Sequence, residues 1–293
     1  MTARIGLVTV LFGSESVLPG FFKSLAAQDY KDYWLFIIDN SLDSIPYQAT
    51  QELIAQYGFK NVTLIKNEKN LGVARGNNQG TELALEMGCE YVLLLNNDIE
   101  FDSPRLFTDL VTVAETTQEK MLVPKITFFD SGKIWCAGGA ILPWKGTTVH
   151  RGEGMDDGPE FSVAMPVNYA PTCFMLIHRS VFDSIGLMDE KYFVYQDDTD
   201  FVWRANQVGF RIYYWPDGLV KHKVSSSTGG AFSTFATYYC ERNRVYFIRK
   251  NYRGAQKLVA LSYYLLTRPL KFKFFTTRLR EHYFKGIRDG FRL

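Results

Sequence analysis

The sequence has little of what marks several common protein classes. Its four cysteines, Cys89, Cys136, Cys173 and Cys240, are far apart and form no Cys-x-x-Cys pair. Neither a zinc knuckle nor a disulfide framework is expected, and reduced thiols suit a cytosolic protein. No apolar run reaches the roughly 18 residues of a membrane-spanning helix. Residues 1–4 lead directly into a strand-like segment, so no signal peptide is expected, for want of a basic region and an apolar core. Neither sign of charge dominates: 33 basic and 31 acidic residues leave +2. A global polyanionic partner is therefore not implied, and no nucleic acid is expected. No Gly-x-Gly-x-x-Gly follows the first strand, and there is no Gly-Lys-Ser/Thr phosphate loop.

What is present describes a globular protein. Of 293 residues, 46% are hydrophobic and 22% charged, enough apolar material for a sizeable core in one large domain or two smaller ones. Aromatic residues make up 15%. That excess suits sugar-stacking surfaces, although packing is the simpler reason for most of them.

Short β-rich runs alternate with longer helical patterns in the first hundred residues. Strands are expected over residues 5–12, 33–39, 62–66 and 91–95, and helices over residues 16–27, 46–57 and 73–87. Near-continuous apolar strands alternating with helices argue for a mainly parallel sheet buried on both faces. Ligands of such sheets bind beyond the carboxyl ends of the strands. Three strands end in polar residues, at 13–15, 39–41 and 96–98, and these ends should converge on one crevice. Further strands are expected over 121–128, 173–177 and 211–215, a loop or hairpin excursion over 138–166, and a helix over 199–208. The chain from residue 232 onward reads as helical.

Four constellations could carry chemistry. Leu95-Asn96-Asn97-Asp98 ends an apolar strand in amides and a carboxylate. Such a group can share a hard cation with phosphate oxygens, or can simply be a strand end turning into solvent. Gly72, Gly76 and Gly80 recur every four residues around Arg75, Asn77 and Asn78. On a helix this gives one small-residue face for a close strand or a ligand. Asp197, Asp198 and Asp200 open a helix beside aromatics and can cap it; Asp197 and Asp198 can instead supply a general base, and Asp200 can hold Arg204 four residues on. His222 stands alone in Val220-Lys221-His222-Lys223.

Taken in order, Ile38-Asp39-Asn40-Ser41, Asn70-Leu71-Gly72, Leu95-Asn96-Asn97-Asp98, Ile185-Gly186-Leu187-Met188-Asp189-Glu190, Tyr195-Gln196-Asp197-Asp198-Thr199-Asp200 and His222 resemble family-2 glycosyltransferases of the GT-A fold. The likeness is to the rhamnosyltransferase and galactofuranosyltransferase branch of bacterial surface-polysaccharide synthesis. Tyr238-Tyr239-Cys240-Glu241-Arg242-Asn243-Arg244 is similar to that branch's Tyr-Tyr-x-x-Arg-Asn segment. The resemblance covers about residues 4–250.

It implies an α/β fold with a mixed sheet flanked by helices. A catalytic domain would span 1–230, with a donor half to about 100 and an acceptor half beyond, followed by a helical basic extension over 231–293. Asp98 matches the last acid of the Asp-x-Asp motif that binds the divalent metal (Mg²⁺ or Mn²⁺), with Asn96 replacing the first acid and Asn97 in the middle. His222 matches a histidine that completes the metal shell. Asp39 matches the acid that contacts the base or ribose, and Thr9, Asn70, Arg75, Asn78 and Asn97 complete the expected substrate-binding set. Asp197 and Asp198 match a Glu-Asp pair whose second member is the usual base.

The implied activity is metal-dependent, inverting transfer of a rhamnose-like or galactofuranose-like sugar. The donor would be a dTDP- or UDP-sugar, and the acceptor a hydroxyl of a glycan or polyprenol-linked precursor. Two other classes stay open on the residues alone. One is a sugar-nucleotide- or glycan-binding module with a degenerate site, left open by Asn96 and Asp197. The other is a nicotinamide-dependent oxidoreductase, against which the missing glycine fingerprint counts.

From residue 251 onward ten basic and two acidic residues give +8, leaving −6 for residues 1–250. The basic residues interleave with aromatic and aliphatic ones. A basic amphipathic segment of this kind reads as membrane-surface binding, with an ordinary solvated helix as the alternative. A cytoplasmic enzyme held peripherally on the inner face of the cell membrane is the resulting expectation.

Overall fold

The computed structural model describes residues 5–224, 233–268 and 276–293. Strands β1 (Ile5–Leu11), β2 (Tyr33–Asp39), β3 (Val62–Lys66) and β4 (Tyr91–Leu95) lie parallel in the order β3-β2-β1-β4. Helices α1 (Leu18–Ala26), α2 (Ile45–Tyr57) and α3 (Val73–Glu86) connect them. The chain therefore builds outward from β1 to β3, then returns to the other side of β1. That reversal between β1 and β4 is a topological switch point, where the loops leaving adjacent strands part and open a crevice.

Beyond β4 the sheet changes direction. β11 (Phe174–His178) runs antiparallel to β4, β6 (Met121–Phe128) antiparallel to β11, and β12 (Ile212–His222) parallel to β6. Short strands β5 (Ile99–Glu100), β7 (Ile134–Cys136) and β10 (Met165–Val167) pair along β12 and β6. The expected excursion over 138–166 contains a separate hairpin, β8 (Gly139–Leu142) with β9 (Thr147–His150).

Alternation of side chains divides the core in two. Leu7, Leu11, Leu35, Leu93 and Leu95 face one apolar layer with α1 and with α4 (Leu106–Thr117). Val8, Phe36, Val92 and Leu94 face the other, with α3, α5 (Arg179–Ile185) and α6 (Asp197–Gln207). Gly76 and Gly80 lie where α3 crosses β1, and a Cβ on either would fall within 2.8 Å of Val10 or 2.4 Å of Val8 side-chain atoms. Strand packing therefore explains these two glycines of the four-residue repeat.

The strand expected over 211–215 is much longer. β12 passes through a register irregularity between Trp215 and Leu219 and ends on His222. Pro216 and Gly218 mask its continuity in the sequence, because proline donates no ladder bond and glycine often marks a bulge.

Helices α7 (Thr234–Asn251), α8 (Gly254–Thr267) and α9 (Thr277–Arg292) form the C-terminal part. α9 lies close on α7: a Cβ at Gly286 would sit 2.6 Å from the Tyr238 carbonyl oxygen, and one at Gly290 would sit 2.4 Å from that of Arg242. α7 also bonds to the segment before α6 and to α6 itself. Lys250 reaches Asp189 at 2.7 Å and Asp200 at 2.9 Å, Asn251 reaches Asp200 at 2.8 Å, and Tyr246 donates to Asp189 at 2.8 Å. Lys271, Lys273 and the aromatic residues between 272 and 275 lie outside the described residues. No helix among the described residues is long and apolar enough to cross a membrane.

Candidate active site

A cavity of about 760 Å³ opens at the switch point. Asn70, Asn97, Asp98, Asp197, Asp198 and His222 all line it, so six of the expected residues meet in one place. Thr9, Asp39, Arg75 and Asn78 are not in its wall.

Asp98 and His222 are brought together by the sheet. β5 follows Asp98 directly and pairs antiparallel with the end of β12, placing His222 opposite Ile99. The Lys223 amide donates to the Asp98 carbonyl at 2.8 Å. His222 Nε2 then lies 3.1 Å from Asp98 Oδ1, and both side chains are largely buried. Two ligand atoms at adjacent octahedral positions of Mg²⁺, each about 2.1 Å from the ion, would be about 3 Å apart. The pair therefore fits two positions on one hard cation. Among the described residues no group of three His, Cys, Asp or Glu side chains could hold a metal, so a cation here needs further oxygen ligands from elsewhere. Nearby Asn97 is committed to the scaffold, its Nδ2 donating to the Val10 carbonyl at 2.7 Å and tying the ends of β4 and β1 together.

Asp197 and Asp198 open α6 and line the same cavity. Asp198 Oδ1 accepts from the Thr199 amide at 2.6 Å and its hydroxyl at 3.2 Å, and Oδ2 accepts from the Tyr169 hydroxyl at 2.8 Å. Burial raises its pKa above the ordinary carboxylate value, while the Tyr169 and Thr199 hydrogen bonds pull the other way and favour the anion. Asp197 is also raised, first by burial and then by the neighbouring Asp198 charge. Of two adjacent acids, Asp198 is thus the better-supported anion.

Asp200 serves the scaffold. It is fully buried and accepts from Arg204 at 2.8 Å, Tyr192 at 3.1 Å, Lys250 at 2.9 Å and Asn251 at 2.8 Å. The same Arg204 donates to the Leu187 carbonyl at 2.7 Å.

The loop before α6 has an unusual backbone. Phe193, Tyr195 and Gln196 have φ of 67°, 63° and 62°, positive values that cost an L-residue about 1–3 kcal/mol. Asn243 on α7 holds it, donating to the carbonyls of Tyr192, Val194 and Tyr195 at 2.9, 2.7 and 2.8 Å. Arg242 bonds the Lys191 and Tyr192 carbonyls at 2.6 and 2.7 Å. On the other side the Val73 amide donates to Phe193 at 2.6 Å. Gly72, with φ of 84°, has no Cβ to collide with Phe193, which would lie 2.5 Å away.

The remaining expected residues flank the crevice. Asp39 ends β2 fully buried, paired with Lys66 at 2.9 Å and accepting from the Ser41 amide at 2.8 Å. Asn70 accepts from the Gly72 amide at 2.9 Å. Arg75 is exposed and lies 3.6 Å from Glu190. Asn78 donates to the Met188 carbonyl at 2.9 Å and accepts its amide at 3.0 Å, bracing α3 against the 187–190 segment. Thr9 is buried in β1, its hydroxyl without a hydrogen-bond partner among the described residues.

From sequence, sugar choice is expected to rest on loop contacts within residues 135–173, without naming Trp135, His150 or Tyr169, which line the same cavity. They stand in or beside the excursion, with no motif to single them out. Sequence reasoning also missed Asn40, whose Nδ2 donates to the Gly72 carbonyl at 3.0 Å.

Residues 7–186, more than half of the chain, match the model of glycosyl transferase family 2. The chain belongs to glycosyl transferase family 2. It is 27% identical over 255 residues to an N-acetylglucosaminyl-diphospho-decaprenol L-rhamnosyltransferase of Mycobacterium tuberculosis, covering 78% of this chain and 79% of that protein. It is 28% identical over 216 residues to the low-salt glycan biosynthesis hexosyltransferase Agl10 of Haloferax volcanii, covering 72% and 64%. Among solved structures, S. aureus TarS 1–349 in complex with UDP superposes with a TM-score of 0.64 at 15% identity, over 98% of this chain and 80% of that one. The match to a longer TarS chain spans 43% of it. GalNAc-T7 with UDP, GalNAc and Mn²⁺ gives 0.66 at 15% identity, over 97% and 54%. The fold of this family-2 member is GT-A, as the mixed sheet and its switch-point cavity require.

Proposed function

We propose that this glycosyltransferase is metal-dependent and inverting. It moves a rhamnose-like or galactofuranose-like sugar from a dTDP or UDP donor to a hydroxyl of a cell-surface glycan or its polyprenol-linked precursor. One observation carries the reading: the Asp98–His222 pair and the hydrogen-bonded Asp198 carboxylate line one cavity. The names of the mycobacterial relative and of the UDP- and Mn²⁺-containing neighbours support it.

Asp98 and His222 would hold the cation. When bound, it supplies positive charge to the departing diphosphate. Asp198 takes the proton of the acceptor hydroxyl as its oxygen bonds to the anomeric carbon and the bond to the diphosphate oxygen breaks. One displacement inverts the anomeric centre and needs no covalent nucleophile. Asn70 lies where the diphosphate enters. The nucleoside is assigned to the ends of β1 and β2, near Thr9 and Asp39, with Arg75 at the rim; Asn78 acts there through its brace to Met188. A screen of dTDP- and UDP-sugars for release of nucleoside diphosphate tests the activity. Asp98→Ala should abolish metal-dependent release, and EDTA should do so reversibly. An Asp98→Ala protein fully active in EDTA would remove the cation from the mechanism.

We also assign the C-terminal helices to the inner surface of the membrane, in a cytoplasmic, peripherally bound protein. Leu258, Leu266 and Phe284 are 69%, 77% and 54% exposed, with Arg278 and Lys285 exposed on α9. Each basic residue near an anionic surface contributes about 1 kcal/mol. Arg278→Glu with Lys285→Glu should therefore weaken sedimentation with anionic vesicles at least about 30-fold, and added salt should do likewise. Point changes are preferred to removal of α9, which would uncover α7. Unchanged sedimentation would refute the assignment.

A further inference from the structure

His150 ends β9 and lines the cavity between its two chemical ends. Its Nδ1 lies 3.1 Å from the Trp135 carbonyl oxygen. A carbonyl only accepts, so Nδ1 carries the ring proton. Burial holds the imidazole below its ordinary pKa and hence neutral, which leaves Nε2 with a lone pair and no proton. The ring cannot swing freely. It stacks on Tyr169 at 5.9 Å and 22°, and meets the Trp135 indole edge-on at 4.7 Å. The same indole meets His222 at 4.4 Å, and the same Tyr169 donates to Asp198 at 2.8 Å. His150 is therefore the middle of a wall that runs from the proposed cation ligand to the proposed base.

The transferred sugar must lie along that wall, because its anomeric carbon sits between the departing diphosphate and the base. Tyr169 has spent its proton on Asp198. What His150 offers the sugar ring is thus an acceptor. We propose that His150 Nε2 accepts a hydrogen bond from one hydroxyl of the transferred sugar and is a specificity-determining residue for the donor. This rests on the donor reading above. The site then requires a hydroxyl at that ring position and disfavours a sugar that is deoxygenated there, since the lone pair would be left dry and unpaired.

Calorimetry on the full chain tests this with dTDP, dTDP-rhamnose and analogues of the latter deoxygenated at one ring position each. His150→Phe keeps an aromatic ring between Trp135 and Tyr169 but removes the acceptor, and His150→Gln returns an acceptor. Wild type should bind one analogue about tenfold more weakly than dTDP-rhamnose, as expected for one neutral hydrogen bond. His150→Phe should bind the two alike, with dTDP affinity unchanged, and His150→Gln should recover part of the difference. If His150→Phe binds dTDP normally and keeps the wild-type preference, the assignment is overturned while the donor reading stands. Should wild type bind neither dTDP nor UDP, the donor reading fails and this one falls with it.

Discussion

Asp198→Asn should lower turnover by about 10²- to 10⁴-fold, the range for a positioned general base, and leave nucleotide affinity unchanged. The substitution is nearly isosteric. The amide oxygen can keep the Thr199 amide bond made by Oδ1 at 2.6 Å, and the amide nitrogen can donate to the Tyr169 hydroxyl that lies 2.8 Å from Oδ2, but the amide cannot take the acceptor's proton. Adjacent helical residues point about 100° apart, so Asp197 cannot meet the same hydroxyl equally well. Asp197→Asn should cost less. Asp200→Asn should act mainly on stability, because Asp200 is buried against Arg204 and Lys250. The sign of the pH effect follows from burial. A base works only when ionised, and burial raises the Asp198 pKa. Activity should be present above that raised value and fall as pH drops through it, with the acid limb lying above the ordinary carboxylate range. Near-normal turnover in Asp198→Asn with a dead Asp197→Asn would reverse the pair. Activity in both would remove this segment from proton transfer.

How far the site could be read in advance differs residue by residue. The first half of the sheet was legible because each strand is a short apolar run closed by polar residues, and β2, β3 and β4 fall on the expected bounds. The convergence of Asn70, Asn97 and Asp98 at the carboxyl edge follows from that topology. Asp98 and His222 are different. They stand far apart in sequence, and their 3.1 Å approach depends on β5 pairing with the end of a strand broken by a bulge. Local pattern contains no information on that pairing; only the family resemblance linked the two. The glycine repeat was ambiguous between strand and ligand, and the close approach of Val8 and Val10 answers for Gly80 and Gly76. Asp200 was expected to cap its helix or hold Arg204. The second is found at 2.8 Å, and the added partners Lys250 and Asn251 come from a helix that local reasoning treated as an appendage. Tyr169 and His150 lie within the segment expected to select the sugar, but their individual roles were not legible because they are set by neighbours from other segments.

Asn243→Asp should be the most damaging single change outside the cavity. Asn243 is fully buried, and its amide nitrogen faces three carbonyls at 2.7–2.9 Å. Those carbonyls belong to the segment that carries Phe193, Tyr195 and Gln196 at positive φ. Each such residue costs about 1–3 kcal/mol, and the conformation persists only while outside contacts offset it. A carboxylate of the same shape donates nothing and sets a negative charge against the three carbonyl dipoles. The loop should relax, and with it the start of α6, where Asp197 and Asp198 sit. A misplacement of about 1 Å at the base is enough to cost about 100-fold in rate. The expected result is turnover down by about 10- to 100-fold at a temperature where the protein is still folded, with nucleotide affinity unchanged. A role limited to stability would lower the melting temperature and leave turnover below it intact. That outcome would cut the link between α7 and the base, and would make the C-terminal helices a support for the domain rather than a part of its active site.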